Sequence, residues 1–164
     1  MKINIVLVEP EIPQNTGNIA RTCACANSKL HLIKPLGFSI DDKYVKRAGL
    51  DYWDKLELEI HESTDDFLNK YDSNNMFFLT TKAPHNYTDI DYSKYDEVFL
   101  VFGKETKGLP EDLLKRNLDK CMRIPMSKEI RSLNLSNAVS IVLYETLRQV
   151  DFNDLKETSE YLLD

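Results

Sequence analysis

Short apolar runs alternate with helical patterns along most of the chain, and this alternation limits the possible folds more than any other feature. Residues 3–8 and 98–102 are brief runs rich in β-branched and aromatic residues, which is the composition of buried strands. Residues 137–150 place apolar side chains along one helical face. Strands that alternate with helices predict an α/β domain with a mostly parallel sheet flanked by helices.

The remaining elements follow from the same spacing rules. Further strands are predicted at 30–33, 56–60, 76–80 and 122–126, and further helices at 18–27, 41–48, 63–71, 109–117 and 153–163. The alternating residues 56–60 are typical of an edge strand. Asn15 or Thr16 would cap the first helix, and Asn137 is a cap candidate for the long one. Because no repeat or linker interrupts the pattern, all 164 residues are expected to form one domain.

Composition places the chain among soluble globular proteins, since 42% of its residues are hydrophobic and 29% are charged. No apolar run approaches the roughly 20 residues that a transmembrane helix needs. The first residues turn acidic too early for a signal peptide. A cytoplasmic protein with three reduced cysteines is therefore expected.

Patterns of metal ligands are missing from the sequence. Cys23 and Cys25 lie inside a helical pattern, where small packing residues are expected rather than ligands. His31, His61 and His85 are scattered without evident partners, and they are predicted to lie at the surface or at sheet edges. No metal site is therefore expected.

The net charge of −6 argues against nonspecific binding to nucleic acids, which depends on neutralising phosphates. The charge is uneven, however. Basic residues cluster at Lys43, Lys46 and Arg47, at Lys104 and Lys107, and at Arg123, Lys128 and Arg131. A local basic face that contacts phosphates and an ordinary mixed-charge surface are both compatible with this distribution.

Three polar loops that follow predicted strands carry the functional signal. They are residues 9–21 (EPEIPQNTGNIAR), residues 102–110 (FGKETKGLP), and Ile-Pro-Met at 124–126 together with SLNLSNA at 132–138. The second loop has the wrong glycine spacing for a Walker loop, and the chain contains neither G-x-G-x-x-G nor G-x-S-x-G. Because ligands of open parallel sheets bind at the carboxyl ends of strands, these loops are expected to converge.

In order and spacing, the three loops resemble the three motifs of the SPOUT, or trefoil-knot, RNA methyltransferases. Residues 37–38, 41–43, 47–52 and 79–82 are in addition similar to the minimal tRNA (cytidine/uridine-34-2'-O)-methyltransferase branch. The resemblance covers about residues 2–150 and leaves the acidic tail outside. It implies a C-terminal trefoil knot that forms a pocket for S-adenosylmethionine, a feature that strand and helix patterns alone do not predict.

The resemblance implies an enzyme that uses S-adenosylmethionine to methylate the ribose 2'-hydroxyl of the wobble nucleotide, position 34, in the anticodon loop of tRNA. Two alternatives stay open: the same chemistry on another tRNA or rRNA ribose, and a catalytically silent RNA-binding or assembly factor. Since the minimal branch has no added RNA-binding domain, a homodimer that combines two basic patches is expected. The apolar face of residues 137–150 is the candidate interface.

The same resemblance assigns catalytic roles. Arg21 would work at the reaction centre, either as a general base or by stabilising the developing alkoxide and gripping a phosphate. The second role is favoured because a guanidinium rarely gives up its proton. Asn15 would assist Arg21 as the other catalytic residue, and Asn15 and Asn18 would position the target ribose.

Binding roles are also implied. Cofactor contacts, largely through backbone groups, are implied for Leu79, Gly103, Ile124, Ser132 and Leu133. Gly103 would let the backbone approach the adenosine because it has no Cβ, and Asn134 offers hydrogen bonds at the third loop. Substrate contacts are implied for Asn18, Lys43, Arg47, Arg131 and Tyr144, although packing at the dimer interface is favoured for Tyr144.

Overall fold

The computed structural model describes residues 1–40, 55–71, 73–152, 155–159 and 161. The strands in these ranges are β1 (Lys2–Val8), β2 (Lys29–Ile33), β3 (Leu58–His61), β4 (Met76–Leu79), β5 (His85–Asn86), β6 (Glu97–Phe102) and β7 (Cys121–Arg123). The α-helices there are α1 (Pro13–Cys25), α2 (Thr64–Lys70), α3 (Glu111–Arg116) and α4 (Leu135–Arg148), with short 3₁₀ turns at Ser73–Asn75, Tyr92–Lys94 and Leu118–Lys120. None of the described helices is long and apolar enough to cross a membrane.

All the strand pairs are parallel, in the order β3-β2-β1-β6-β4-β7-β5. The predicted α/β fold with a parallel sheet is confirmed, and the predicted edge strand is β3, at one margin of the sheet. The central strands β1, β6 and β4 are almost wholly buried, which explains their near-continuous apolar sequences. In a parallel sheet the loops that leave the strands all begin at the same edge, and that edge positions the site.

Two apolar layers cover the sheet. On one face, Ile5 and Leu7 of β1 pack with the buried sides of α1 and α4, and these two helices also contact each other. On the other face, Val6 packs with Phe67 of α2 and Leu113 of α3. Successive β1 residues alternate between the two layers because the side-chain period of a strand is two. Each fully buried aliphatic side chain contributes about 1.5–3 kcal/mol.

Helix α1 begins at Pro13, earlier than the predicted start at Asn18. Proline suits the first helical position, because its φ is already helical and its missing N–H would have no partner within the helix. The predicted caps are wrong. Ile12 is the N-cap and makes no side-chain cap hydrogen bond, whereas Asn15 and Thr16 are buried inside the first turn.

Helix α4 begins at Leu135, and its cap is Asn134 rather than the predicted Asn137. The Asn134 Oδ1 atom accepts hydrogen bonds from the backbone N–H groups of Ser136 at 2.9 Å and Asn137 at 3.4 Å. The predicted tail helix is wrong for residues 155–159, which have no regular structure and are mostly exposed, so no packing stabilises a short helix there. The predicted helix at 41–48 lies outside the described residues.

The predicted surface or edge position is confirmed for His85, which is exposed on β5, and for His61, which lies on the edge strand β3, but it is wrong for His31 on the inner strand β2. His31 and His61 are 0% and 2% exposed, and their rings stack with Nδ1 of His31 3.0 Å from Nε2 of His61. Neighbouring strands β2 and β3 bring the two rings together. Polar groups tolerate burial where they supply one another's hydrogen bonds.

Candidate functional site

A cavity of about 540 Å³ opens at the carboxyl ends of the central strands. Its position follows from the strand register, because Leu79 of β4 lies beside both Phe102 of β6 and Met122 of β7. The loops that leave these strands therefore start at one level and enclose a common space. The lining comprises residues 79–82, 102–109 and 131–135 with Ile12, Asn15, Leu114, Met122, Ile124, Met126 and Ala138. The volume is that of a site for a small molecule.

The loop after β6 is a tight turn that requires a glycine at its start. A Cβ on Gly103 would lie 2.1 Å from the carbonyl carbon of Gly108 and 2.2 Å from the nitrogen of Leu109. The turn is closed by a hydrogen bond of 2.8 Å from the Gly108 N–H to the Lys104 carbonyl. The structure thus explains the glycine at position 103 by the close packing of the loop on itself. The predicted explanation was a close approach of the backbone to adenosine.

Two carboxylates fasten the loop after β1 to the loop after β6. Glu105 accepts hydrogen bonds from the backbone N–H groups of Glu11 at 2.8 Å and Ile12 at 3.2 Å. The Glu11 carboxylate in turn accepts from the Thr106 N–H at 3.1 Å and from the Thr106 hydroxyl at 2.8 Å. Hydrogen bonds to a carboxylate are roughly twice as strong as neutral ones. The two loops are therefore held together from both sides, immediately before α1.

An ion pair adds a third link between these loops. Lys104 binds the Glu9 carboxylate at the end of β1, and this partner raises the pKa of Lys104. Glu9 has a φ of 51°, in the left-handed region that residues with a Cβ seldom adopt. Such strained positions tend to occur at functional sites. Lys104 is one of the basic residues considered for phosphate binding, and here its charge is paired with Glu9. Lys107 in the same loop is exposed to solvent.

Asn15 connects the first two loops to the third. Its Nδ2 donates to Glu105 at 3.0 Å, and its Oδ1 accepts from Asn134 Nδ2 at 3.0 Å. Because an ionised carboxylate only accepts hydrogen bonds, the Asn15 amide can face Glu105 only with its nitrogen. Asn15 is 6% exposed, and both ends of its amide are engaged. Asn15 therefore joins all three loops at the wall of the cavity, and its catalytic role stays a prediction.

The predicted cofactor residues come together at this cavity, although their contact with a cofactor stays a prediction. The lining includes all five of them: Leu79, Gly103, Ile124, Ser132 and Leu133. Leu133 is 37% exposed, which leaves its side chain available to a ligand. The predicted substrate residue Arg131 also lines the cavity and is exposed. Lys43 and Arg47 lie outside the described residues.

The other predicted residues lie on a neighbouring surface. Asn18 and Arg21, one turn apart, are on the exposed side of α1, whereas Asn15 points inward. On α4, Ile141 and Tyr144 are 38% and 44% exposed. Since α1 and α4 pack side by side on one face of the sheet, these residues form one surface, here called the α1–α4 surface. None of them lines the cavity.

Glu105 is a site residue that the sequence patterns do not reveal. Its carboxylate serves three donors, on Glu11, Ile12 and Asn15, and these lie at least 90 residues away in the chain. The one local signal is an acidic residue in the middle of a loop of glycines and lysines. That signal gives no indication of the partners.

An open parallel sheet with a cavity at its carboxyl edge, walled by interlocked loops, defines a ligand-binding α/β protein. The family model described as the SpoU rRNA Methylase family matches residues 2–144. The chain belongs to this family, and the predicted relationship to the SPOUT methyltransferases is confirmed. The trefoil knot is what membership of the family implies for the fold.

Individual relatives extend this finding. A protein of Bacillus subtilis (strain 168), provisionally named tRNA (cytidine(34)-2'-O)-methyltransferase, is 52% identical over 155 residues, which are 94% of this chain and 97% of that protein. A solved structure described as giving insights into the 2-OH methylation of C/U34 on tRNA is 40% identical, with a TM-score of 0.86 over 92% of this chain and 97% of that chain. The AdoMet-bound rRNA methyltransferase from Sinorhizobium meliloti is 26% identical, with a TM-score of 0.82 over 91% of this chain and 57% of that chain.

Proposed function

We propose that this protein transfers a methyl group from S-adenosylmethionine to the ribose 2'-hydroxyl of the wobble nucleotide of tRNA, a cytidine or uridine derivative at position 34. The observation that carries the proposal is the joining of three motif loops around one cavity by Glu105, Asn15 and Asn134. The name of the 52% identical relative and the subject of the 40% identical structure support the choice of position 34. We further propose that the reaction takes place in the cytoplasm.

The chemistry of the cavity fits S-adenosylmethionine. Apolar side chains such as Leu79, Ile124 and Leu133 offer walls for an adenine ring, and the loop backbones with Ser132 and Asn134 offer hydrogen bonds for polar groups. The bound cofactor supplies a methyl group on a positively charged sulfur, and the transfer involves no metal. The AdoMet-bound relative, at 26% identity, supports this choice of cofactor.

In the transfer, the ribose 2'-oxygen forms a bond to the methyl carbon while the carbon–sulfur bond breaks, and the hydroxyl proton must leave. Arg21 is suited to stabilising the negative charge that develops on the oxygen. Its planar guanidinium presents several donors, so it can contact this oxygen and a neighbouring phosphate together. Because arginine does not deprotonate in proteins, the proton passes to the phosphate or to water.

We also propose that the active form is a homodimer. Arg21 lies six residues beyond Asn15 on α1, about 9 Å along the helix axis, and does not line the cavity of its own chain. Pairing of two copies through the α1–α4 surface would cover Ile141 and Tyr144 and would combine basic residues from both chains. Asn18, Arg131 and Tyr144 would then border one shared substrate groove.

The test is a transfer assay with purified protein, methyl-labelled S-adenosylmethionine and bulk tRNA. We expect label in tRNA, and nucleoside mass spectrometry should find the methyl group on the ribose of nucleotide 34. The Arg21→Ala variant serves as the control for catalysis by this protein. Label at another tRNA position or in rRNA would instead support the second enzymatic reading. Binding of tRNA without any transfer would support a silent RNA-binding factor.

A further inference from the structure

Ile12 is an apolar residue at a position where helix formation favours a polar one. It is the N-cap of α1, with an extended backbone (φ of −106°, ψ of 112°) and no side-chain cap hydrogen bond. N-caps strongly favour Ser, Thr, Asp and Asn, whose oxygens bind N–H groups of the first turn, and isoleucine is among the poorest choices. The local stability of α1 therefore does not explain this residue.

Core packing does not explain Ile12 either. It is 42% exposed and is not one of the described residues that form the two apolar layers of the sheet. Single exposed apolar residues are common on proteins, so exposure alone would carry no argument. Ile12 differs because it also lines the cavity. Sequences depart from local rules mainly at functional sites, so a contact with a ligand is the remaining reason for an apolar side chain here.

The backbone of Ile12 is held from both sides. Its N–H donates to Oε1 of Glu105 at 3.2 Å, and its carbonyl accepts from the N–H groups of Asn15 at 3.1 Å and Thr16 at 3.3 Å. A β-branched side chain has few χ1 rotamers. The apolar surface is thus presented in a fixed direction before a ligand arrives, which reduces the entropy lost on binding.

The exposure of Ile12 places it at the mouth of the cavity. Leu79 and Ile124, which offer walls for an adenine ring, are half-buried by comparison. The substrate ribose must enter from the solvent side for its 2'-oxygen to reach the cofactor. Its base is bonded to the same ribose, so the base comes to lie beside the exposed residues at the mouth.

The flat face of a nucleobase is the part of the substrate that suits an aliphatic side chain. Ribose and phosphate carry many oxygens, whereas the faces of unstacked bases pack on apolar and aromatic side chains. An isoleucine has no side-chain donor or acceptor, so it cannot read the edge groups that distinguish cytidine from uridine. A contact of this kind fits a reaction whose target is either pyrimidine.

We propose that Ile12 packs against the face of nucleobase 34 and so holds the target nucleotide at the mouth of the cofactor cavity. The inference rests on the proposed function, which supplies the nucleotide, and it adds the residue that receives the base. Ile12 is a substrate-contact residue and takes no part in the transfer itself. Covering its exposed part with a base should strengthen tRNA binding about 3- to 10-fold.

The first test compares a tRNA that has a base at position 34 with the same tRNA carrying an abasic ribose there. Equilibrium binding is measured with the full chain and S-adenosylhomocysteine, so that no transfer occurs. Removal of the base should weaken binding by wild type more than binding by Ile12→Ser, and the two losses should differ by about 3- to 10-fold. Cytidine and uridine at position 34 should give the same difference.

The second test separates a substrate contact from a structural role. Serine supplies the cap oxygen that isoleucine lacks, so Ile12→Ser should keep its Tm or gain up to about 4 °C. Its affinity for S-adenosylmethionine, measured by calorimetry, should be unchanged, whereas Leu133→Ser in the predicted cofactor wall should weaken it. The matched control is Leu118→Ser, since Leu118 is 54% exposed and does not line the cavity.

Three results would overturn the inference. One is an equal loss of affinity for abasic tRNA in wild type and Ile12→Ser. Another is that Ile12→Ser weakens S-adenosylmethionine binding as much as Leu133→Ser does, because Ile12 would then belong to the cofactor wall. The last is a lower Tm of Ile12→Ser, which would make Ile12 a packing residue. Failure of the proposed function gives a different pattern, in which wild type binds intact and abasic tRNA equally, and the inference falls with it.

Discussion

The side-chain amide of Asn134 donates a hydrogen bond of 3.0 Å to Oδ1 of Asn15, across 119 residues of sequence. The contact joins the start of α4 to the first turn of α1. Each amide has one fixed orientation, because Asn134 Oδ1 caps α4 and Asn15 Nδ2 binds Glu105. Loss of the side chain of Asn15, Glu105 or Asn134 therefore removes a hydrogen bond from a neighbouring loop.

The two functions of Asn134 can be separated by substitution. Asn134→Asp keeps an oxygen to cap α4 but loses the donor to Asn15, whereas Asn134→Ala loses both. An unsatisfied buried acceptor costs about 1–3 kcal/mol, so we expect S-adenosylmethionine affinity to fall about 5- to 100-fold in both variants. Only Asn134→Ala should also lose about 1 kcal/mol of helix stability. Calorimetry and urea unfolding measure the two effects, and equal unfolding free energies for both variants would refute the capping role.

Glu105, which lines the cavity, should be necessary for its shape because it holds the first two loops together. Glu105→Ala leaves the N–H groups of Glu11 and Ile12 and the amide of Asn15 without their acceptor. We expect weaker cofactor binding and a loss of about 1–3 kcal/mol in unfolding free energy. Glu105→Gln keeps one acceptor oxygen and should be intermediate. Exposed Glu129 is the matched control position, and wild-type behaviour of Glu105→Ala would contradict the assignment.

Substitutions at Arg21 distinguish electrostatic stabilisation from general-base catalysis. Arg21→Ala should lower single-turnover methylation of tRNA by about 10²–10³ while leaving cofactor affinity nearly unchanged. Arg21→Lys should also be slow at every pH, because lysine lacks the planar fork that bridges alkoxide and phosphate. A general-base role requires the lysine variant to recover activity as the pH approaches about 10, where lysine loses its proton. Such recovery would rule out the electrostatic role.

Gly103 should be intolerant of any side chain. Even Gly103→Ala places a Cβ about 2 Å from the backbone of Gly108 and Leu109, so the turn must open. We expect both the Tm and the affinity for S-adenosylmethionine to fall. Gly108→Asn is the comparison for loop stability, since a Cβ there meets nothing within 4 Å and asparagine tolerates its φ of 69°. An unchanged affinity in Gly103→Ala would place the cofactor elsewhere.

The oligomeric state should depend on the α1–α4 surface. Tyr144→Asp introduces a charge where a 44% exposed ring is proposed to be covered by a second copy. We expect analytical ultracentrifugation to show dimers of wild type and monomers of this variant at micromolar concentration, with methylation reduced in parallel. Leu118→Asp is the control, because Leu118 is 54% exposed outside this surface. A monomeric wild type with full activity would exclude the proposed dimer.

The class of fold and the three polar loops can be predicted from the sequence alone. The spacing of apolar residues in strands and helices depends only on neighbours a few positions away. It therefore predicts the boundaries of the strand at 98–102 and of the long helix at 137–150 to within two residues. The order and spacing of the polar loops led to the family. Local rules fail at the start of α1, because they place Pro13 in a loop although it occupies the first helical position.

Which side chains meet can be seen only in the folded chain. The partners of Glu105 lie 90 or more residues away, and the burial of His31 and His61 depends on the pairing of β2 with β3. A hydrogen bond forms where two groups come within about 3 Å, and the sequence separation of the partners has no bearing on that distance. Chain topology and strand register set such distances, so the roles of Asn15, Asn134 and the buried histidine pair became visible only in the folded protein.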